Sequence, residues 1–208
     1  MTIMSRATPE SADAFVADEL QAVSRSRGRG DFNTAAADAG GGASVPTGAG
    51  LPLYGMPLAA LTEAALSDGS DAALGEARQL GWRYLISDAR GPKIVDMLDQ
   101  DGGKPAAMVI KGSLVDRFGK AGALAEEDAP DRLFEARVLD FGRLGMSELW
   151  LHCEDGPDVF YSLATPEPSR REASEVLGEA GDRARRQARL SDGGGGKSKR
   201  HRKDDRGG

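Results

Sequence analysis

The sequence predicts an α+β domain with a small, mostly antiparallel sheet of about five to six strands and flanking helices. Three observations lead to this fold class. Nine of the 11 aromatic residues in the 208-residue chain lie between residues 51 and 190. The strand-like segments of this region follow one another across short turns, which is typical of hairpins. No strand–helix–strand alternation opens on a glycine-rich turn, so we do not expect a nucleotide-binding, doubly wound sheet.

The first half of this domain is predicted to hold two short helices and three strands. The helices are expected at 57–66 and 70–80, and Gly81 is expected to end the second one. A Gly-Gly pair predicts a hairpin between the last two of the three strands. The strands are expected at Arg83–Ser87, Ile94–Leu98 and Ala106–Lys111.

The second half is predicted to hold two helices and an antiparallel meander. Ser113 and Asp116 have the spacing of a capping box, which predicts a helix that runs to about Leu124. Ser169 and Glu172 have the same spacing and predict the start of a terminal helix. The strands of the meander are expected at Leu133–Phe141, Glu148–Cys153 and Asp158–Ala164.

Residues 1–27 are predicted to form an N-terminal amphipathic helix, tethered by a flexible linker at 28–50 that is rich in Gly and Ala. The helix would carry an apolar stripe at helical spacing, which needs a surface to cover it. Two interpretations stay open: the stripe packs on its own domain, or it docks in the groove of a protein partner. Its candidate partner-binding residues are Phe15, Val16, Leu20 and Val23.

Residues 191–208 are predicted to form a disordered basic tail. Residues 169–208 hold 12 basic and 7 acidic residues, a net charge of +5, which leaves −11 for residues 1–168 of the overall −6. A solvated tail is one interpretation, and weak, salt-dependent contact with nucleic acid or another polyanion is the other. The candidate polyanion-binding residues are Lys197, Lys199, Arg200, Arg202 and Lys203.

The composition excludes several kinds of site. One Cys rules out an intramolecular disulfide framework, and two His rule out an imidazole-rich metal site, so we expect no metal and no cofactor. No segment has the length and apolarity of a membrane helix, and the N-terminus lacks the apolar core of a secretory signal. We therefore expect a cytoplasmic protein, or a nuclear one if its source is eukaryotic or viral.

Few residues are candidates for catalysis. His152 and Cys153 are adjacent, but neighbours on a strand point to opposite faces, so Cys153 is expected to be a small core residue. A carboxylate-dependent site could use acids such as Asp88, Asp96 and Asp116, although we expect each to point separately into solvent. The acids at 99–101 are interpreted as a polar hairpin tip and not as a calcium loop, because residue 110 is no carboxylate.

These observations favour a non-enzymatic accessory or adaptor protein that acts through protein–protein contacts of its α+β domain and N-terminal helix. The first alternative is a nucleic-acid-associated protein that binds through its basic tail. The second alternative is a carboxylate-dependent enzyme whose acids converge from distant parts of the chain. The oligomeric state is left open by the sequence.

Overall fold

The computed structural model describes residues 2–4, 50–61, 69–88, 91–99, 106–110, 112–128 and 133–193. In this part of the chain, nine strands form one sheet: β1 (Thr2–Met4), β2 (Leu51–Gly55), β3 (Arg78–Asp88), β4 (Gly91–Leu98), β5 (Ala106–Ile110), β6 (Leu133–Asp140), β7 (Ser147–His152), β8 (Val159–Ser162) and β9 (Arg170–Glu172). Three α-helices accompany them: α1 (Ser70–Leu74), α2 (Ser113–Asp128) and α3 (Ala173–Gly193). Two short 3-10 helices lie at Leu58–Leu61 and Gly142–Leu144.

The sheet is larger than predicted and is mixed. Its strand order is β5-β4-β3-β2-β6-β7-β8-β9, and β1 also pairs with β6. Both β1 and β2 run parallel to β6, whereas the other pairs are antiparallel. The prediction of five to six mostly antiparallel strands is therefore wrong, while the α+β class is confirmed. The three additional strands are short, and two of them have poor strand signals: β2 contains Pro52, and β9 consists of three charged residues. The third, β1, lies within residues 1–27, for which the sequence predicts a helix, so that prediction is wrong for residues 2–4.

The structure differs from both predicted helices of the first half in the residues that it describes. After Pro57 the described chain forms a 3-10 helix to Leu61, and residues 62–68 lie outside the described part. Helix α1 ends at Leu74, and strand β3 begins at Arg78. Gly81 does not end a helix but lies within β3, where a Cβ atom would come 1.9 Å from the carbonyl oxygen of Met97 on β4. The glycine is required by this close strand contact and not by a helix terminus.

The terminal helix begins three residues later than its predicted capping box. Residues 170–172 form β9 against β8, and α3 starts at Ala173. The backbone N–H of Glu172 donates to the carboxylate of Glu175 at 3.3 Å, so a side chain three residues on still reaches back to cap the helix. α3 continues to Gly193, three residues into the segment predicted as tail.

Other predicted elements are confirmed. Strands β4 and β5 pair antiparallel as expected for a hairpin, and β6, β7 and β8 form the expected antiparallel meander. Helix α2 begins at Ser113 as predicted and buries Val115 and Phe118. None of the described helices is both long and apolar enough to span a membrane.

The two faces of the sheet pack on different helices. One face packs on α2, and its core includes Phe118 of the helix with Val138 and Leu149 of the sheet. The opposite face packs on α3, and its core includes Trp150 and Phe160 with Val176 and Leu177 of α3. A third buried cluster lies on the β3–β4 pair: Trp82, Tyr84, Ile86, Val95 and Met97.

The sheet curls toward the α2 face. Arg83 on β3 donates from Nη1 to the hydroxyl of Ser147 on β7 at 3.1 Å. These strands are separated by β2 and β6, so their backbones would lie about 14 Å apart across a flat sheet. The two side chains are too short for this contact across a flat sheet, so β3 and β7 approach each other on this face.

Candidate functional site

A cavity of about 420 Å³ opens where β2 and β6 end and β3 begins; we call it the Asp140 cavity. Its lining comes from three segments that are distant in sequence: residues 55–58, 78–80 and 140–144. Two of its apolar side chains, Leu58 and Leu80, are 45% and 41% exposed. The apolar part of the lining consists of Met56, Pro57, Leu58, Leu80, Phe141 and Leu144.

Gly55 makes room for this cavity. In the sheet it is paired with Arg78 of β3 on one side and with Asp140 of β6 on the other. Because Gly55 has no side chain, a gap is left between those two residues, and the side chain of Leu80 lies in this gap. A Cβ atom on Gly55 would lie 2.5 Å from Cδ1 of Leu80. A larger residue at this position would therefore push Leu80 aside and change the cavity.

Three charged side chains border the Asp140 cavity: Arg78, Arg143 and Asp140. Both arginines are exposed, and within the described part of the chain neither side chain makes a hydrogen bond or an ion pair. Burial raises the pKa of Asp140, and the Asp96 carboxylate adds to the increase. Arg83, the hydroxyl of Ser147 and a 3.3 Å hydrogen bond from the N–H of Gly142 act in the opposite direction on that pKa.

A buried ion pair lies behind Asp140. Arg83 donates from Nε and Nη2 to the two carboxylate oxygens of Asp96, at 2.6 and 2.7 Å, and both side chains are 2% exposed. The remaining guanidinium nitrogen donates to Ser147, which also interacts with Asp140. A continuous polar chain thus leads from Asp96 in the core to Asp140 at the cavity, and every member has a partner, as buried polar groups require.

A second polar cluster is centred on Asp158, in the loop before β8. Its carboxylate accepts hydrogen bonds from Nε1 of Trp150 at 2.8 Å and from the backbone N–H of Cys153 at 3.0 Å, and it contacts Nδ1 of His152 at 2.9 Å. The guanidinium of Arg137 lies 4.9 Å from the ring centre of Trp150. This arrangement fixes the loop and the indole, because one carboxylate satisfies three neighbouring groups.

The structure separates His152 from Cys153 as predicted. Cys153 is buried in the core on the α2 face, whereas His152 shares the opposite face with Trp150, at 5.7 Å between ring centres. The prediction that Cys153 is a core residue is confirmed. The imidazole of His152 is therefore not placed to act as a base for this thiol.

Of the candidate carboxylates, Asp96 and Asp116 are not brought together. The expectation that each would point into solvent is wrong for Asp96, which is buried and paired with Arg83. Asp116 is exposed on α2, as expected. Asp88 lies in β3, but its side chain is outside what the structure describes.

The remaining sequence candidates lie outside the described residues. These are the predicted stripe at Phe15, Val16, Leu20 and Val23, and the basic positions Lys197, Lys199, Arg200, Arg202 and Lys203. The hairpin tip around residues 100–105 is outside as well. The interpretations of these segments stay predictions.

Sequence reasoning missed the residues of the Asp140 cavity. The sequence predicts a helix at Arg78 and an ordinary strand at Asp140, and it assigns Arg143 to no element. One local signal was available: Gly142 and Gly145 closely follow an apolar strand, which indicates an irregular turn where polar side chains can be displayed. The partners of that turn come from β2 and β3, and no local pattern identifies them.

Among the described residues, no group of three or more His, Cys, Asp or Glu side chains is placed to hold a metal ion. Comparisons with known protein families, with curated proteins and with solved structures find no match to this chain. The site is therefore interpreted from its own geometry.

Proposed function

We propose that the α+β body is a non-enzymatic protein-interaction module whose docking site is the Asp140 cavity. The observation that carries this proposal is the combination of an apolar cavity with two leucines that remain more than 40% exposed, Leu58 and Leu80. Exposed apolar side chains around a concave site are typical of surfaces that bind another protein. The proposal keeps the accessory-protein function expected from the sequence and assigns it to this cavity.

The chemistry of the lining also favours binding over catalysis. Acid–base catalysis of the carboxylate type uses two groups whose environments separate their pKa values. Within the described lining, Asp140 is the one carboxylate, and no Ser, Cys, His or Lys side chain accompanies it. The two arginines supply fixed positive charge, which can position a partner's carboxylate.

The proposal is tested by site-specific photo-crosslinking in the full chain. A photoreactive residue at position 58 should capture a partner that the same residue at position 190 does not. Leu190 is a matched control because it is a 79% exposed leucine on α3, away from the cavity.

A captured protein must then be purified and its affinity measured directly. Leu58→Glu and Leu80→Glu should each weaken binding about tenfold or more, because each places an unpaired charge in an apolar contact. Leu190→Glu should leave the affinity unchanged. Equal affinities for all three variants would contradict the proposal.

A further inference from the structure

We infer that the Asp140 cavity binds an acidic peptide segment, seating one bulky apolar side chain inside while Arg78 and Arg143 contact flanking carboxylates. This inference rests on the proposed function and deepens it, because it names the chemistry of the partner. It joins two independent properties of the site: its apolar interior and its unpartnered positive charge.

The apolar interior of the cavity determines which side chain of the peptide can enter it as an anchor. A volume of about 420 Å³ is at the lower end of the range of about 300–1,000 Å³ found for small-ligand pockets. It has room for one large side chain with a short length of backbone. Phe141 and Leu144 are buried beside it, and Leu58 and Leu80 are the exposed walls that an apolar anchor would cover.

The two arginines at the cavity indicate which residues flank the anchor in the bound peptide. Arg78 and Arg143 are exposed and make no ion pair in the described part of the chain. Arg83 and Arg183, by contrast, are each paired with a carboxylate, of Asp96 and Glu179 respectively. An arginine without a protein partner is available for a partner's carboxylate, and its planar guanidinium fits a carboxylate bidentately.

The remainder of the chain strengthens this selectivity. Residues 1–168 together carry a net charge of −11, so that part of the chain as a whole repels an acidic segment. Arg78 and Arg143 place two positive charges beside the cavity within it. Asp140, the one carboxylate of the described lining, is already engaged by Ser147 and by the backbone N–H of Gly142. Two cations on an acidic body are too few for stable contact with a polynucleotide, which favours an acidic peptide as the occupant.

The inference is tested by NMR titration of the ¹⁵N-labelled full chain with matched peptides. The first probe is the acetylated, amidated pentapeptide Glu-Glu-Leu-Glu-Glu. The second replaces its four glutamates by lysines, the third replaces its leucine by alanine, and a single-stranded deoxythymidine oligonucleotide is the fourth. We expect the first peptide to shift the amide signals of Gly55, Leu80 and Gly142, and to bind about tenfold or more tightly than each other probe.

Variants of the full chain locate the contacts. Arg78→Glu and Arg143→Glu should each weaken binding of the first peptide about tenfold and reduce its salt dependence, whereas Arg189→Glu on α3 serves as the matched control. Gly55→Ala should weaken binding while retaining every charge, since its Cβ would lie 2.5 Å from Cδ1 of Leu80 and force this wall of the cavity to move. The unchanged remainder of each NMR spectrum establishes that the variant is folded.

The outcomes separate this inference from the proposed function. Equal binding of the glutamate and lysine peptides, oligonucleotide shifts at the same amides, or shifts confined to other residues would overturn the inference. If a crosslinked protein depends on Leu58 and Leu80 while the glutamate peptide does not bind, the proposed function stands and the acidic-segment inference fails. If the peptide binds as expected but no protein depends on these leucines, the proposed function fails.

Discussion

Glu148 provides a quantitative test of how the sheet packs on α3. Its side chain is 0% exposed on β7. One carboxylate oxygen lies 3.4 Å from Nη1 of Arg171, and the other is buried without a hydrogen-bond partner. Burial raises the pKa of this carboxyl from 4.5 to about 7. Arg171 and Arg183 act to lower that pKa, and Glu179 of α3 acts to raise it.

The direction in which burial changes the pKa of Glu148 determines its effect on the stability of the fold. Because the pKa of Glu148 is higher in the folded than in the unfolded chain, the folded state holds more protons between pH 4.5 and pH 7. The contribution of Glu148 is therefore neutral below pH 4.5 and becomes increasingly unfavourable as the pH rises to 7. At about 1.4 kcal/mol for each pKa unit, the full cost above pH 7 is about 3 kcal/mol.

The substitution Glu148→Gln removes this charge and keeps the shape of the side chain. We expect the free energy of unfolding to rise by up to about 3 kcal/mol at pH 8 and to change little at pH 4.5, where both side chains are neutral. Urea denaturation followed by tryptophan fluorescence measures both values, since Trp150 packs in the same core as α3.

Glu126→Gln is the matched control for this experiment. Glu126 is exposed on α2, so the same chemical change should alter stability by less than about 0.5 kcal/mol at either pH. A loss of stability at pH 8 in Glu148→Gln would refute the reasoning. It would mean that the ion pair with Arg171 outweighs the cost of burying the carboxylate.

Three other substitutions probe the buried contacts by urea denaturation. Asp96→Asn should cost about 3–5 kcal/mol, because it leaves the buried Arg83 without its counter-ion, and replacing both residues by apolar ones should recover most of that loss. Gly81→Ala should cost about 3 kcal/mol or more, since its Cβ would overlap the Met97 carbonyl; a loss below 1 kcal/mol would contradict the strand pairing. Asp158→Ala should cost about 2–4 kcal/mol because three neighbouring groups lose one shared partner, and an unchanged stability would show that water replaces it.

The elements that the sequence predicted well are those whose signal is local. The meander of β6, β7 and β8 has long apolar strands separated by short turns, and α2 has a cap followed by an apolar face. Such patterns depend on neighbouring residues alone. The strand at Arg78–Leu80 was missed because its residues have no strand alternation of their own. Its structure comes from pairing with β2, whose Pro52 weakens the strand signal in turn.

The Asp140 cavity could not be predicted for a related reason. Gly55 and Asp140 are 85 positions apart and meet only because β2 pairs parallel with β6. A parallel pair with a long connection lacks the hairpin turn that would indicate it in the sequence. Local patterns therefore predict neither the pairing nor its register. Arg78 then joins the site through the antiparallel pairing of β3 with β2. The site is a product of sheet topology.

The chain of polar contacts from Asp96 to Asp140 connects the sheet topology to the proposed binding cavity. Arg83 uses two nitrogens for Asp96 and one for Ser147, and this third contact spans the curled sheet. Apolar packing favours burial but does not determine the curvature of a sheet. The hydrogen bonds of a guanidinium are directional, so they are compatible with few arrangements of the strands. Because Ser147 also interacts with Asp140, the curl and the carboxylate of the cavity are determined by the same contacts. The ion pair between Arg83 and Asp96 is thus connected to the cavity through Ser147 and Asp140, although neither of its residues lines the cavity.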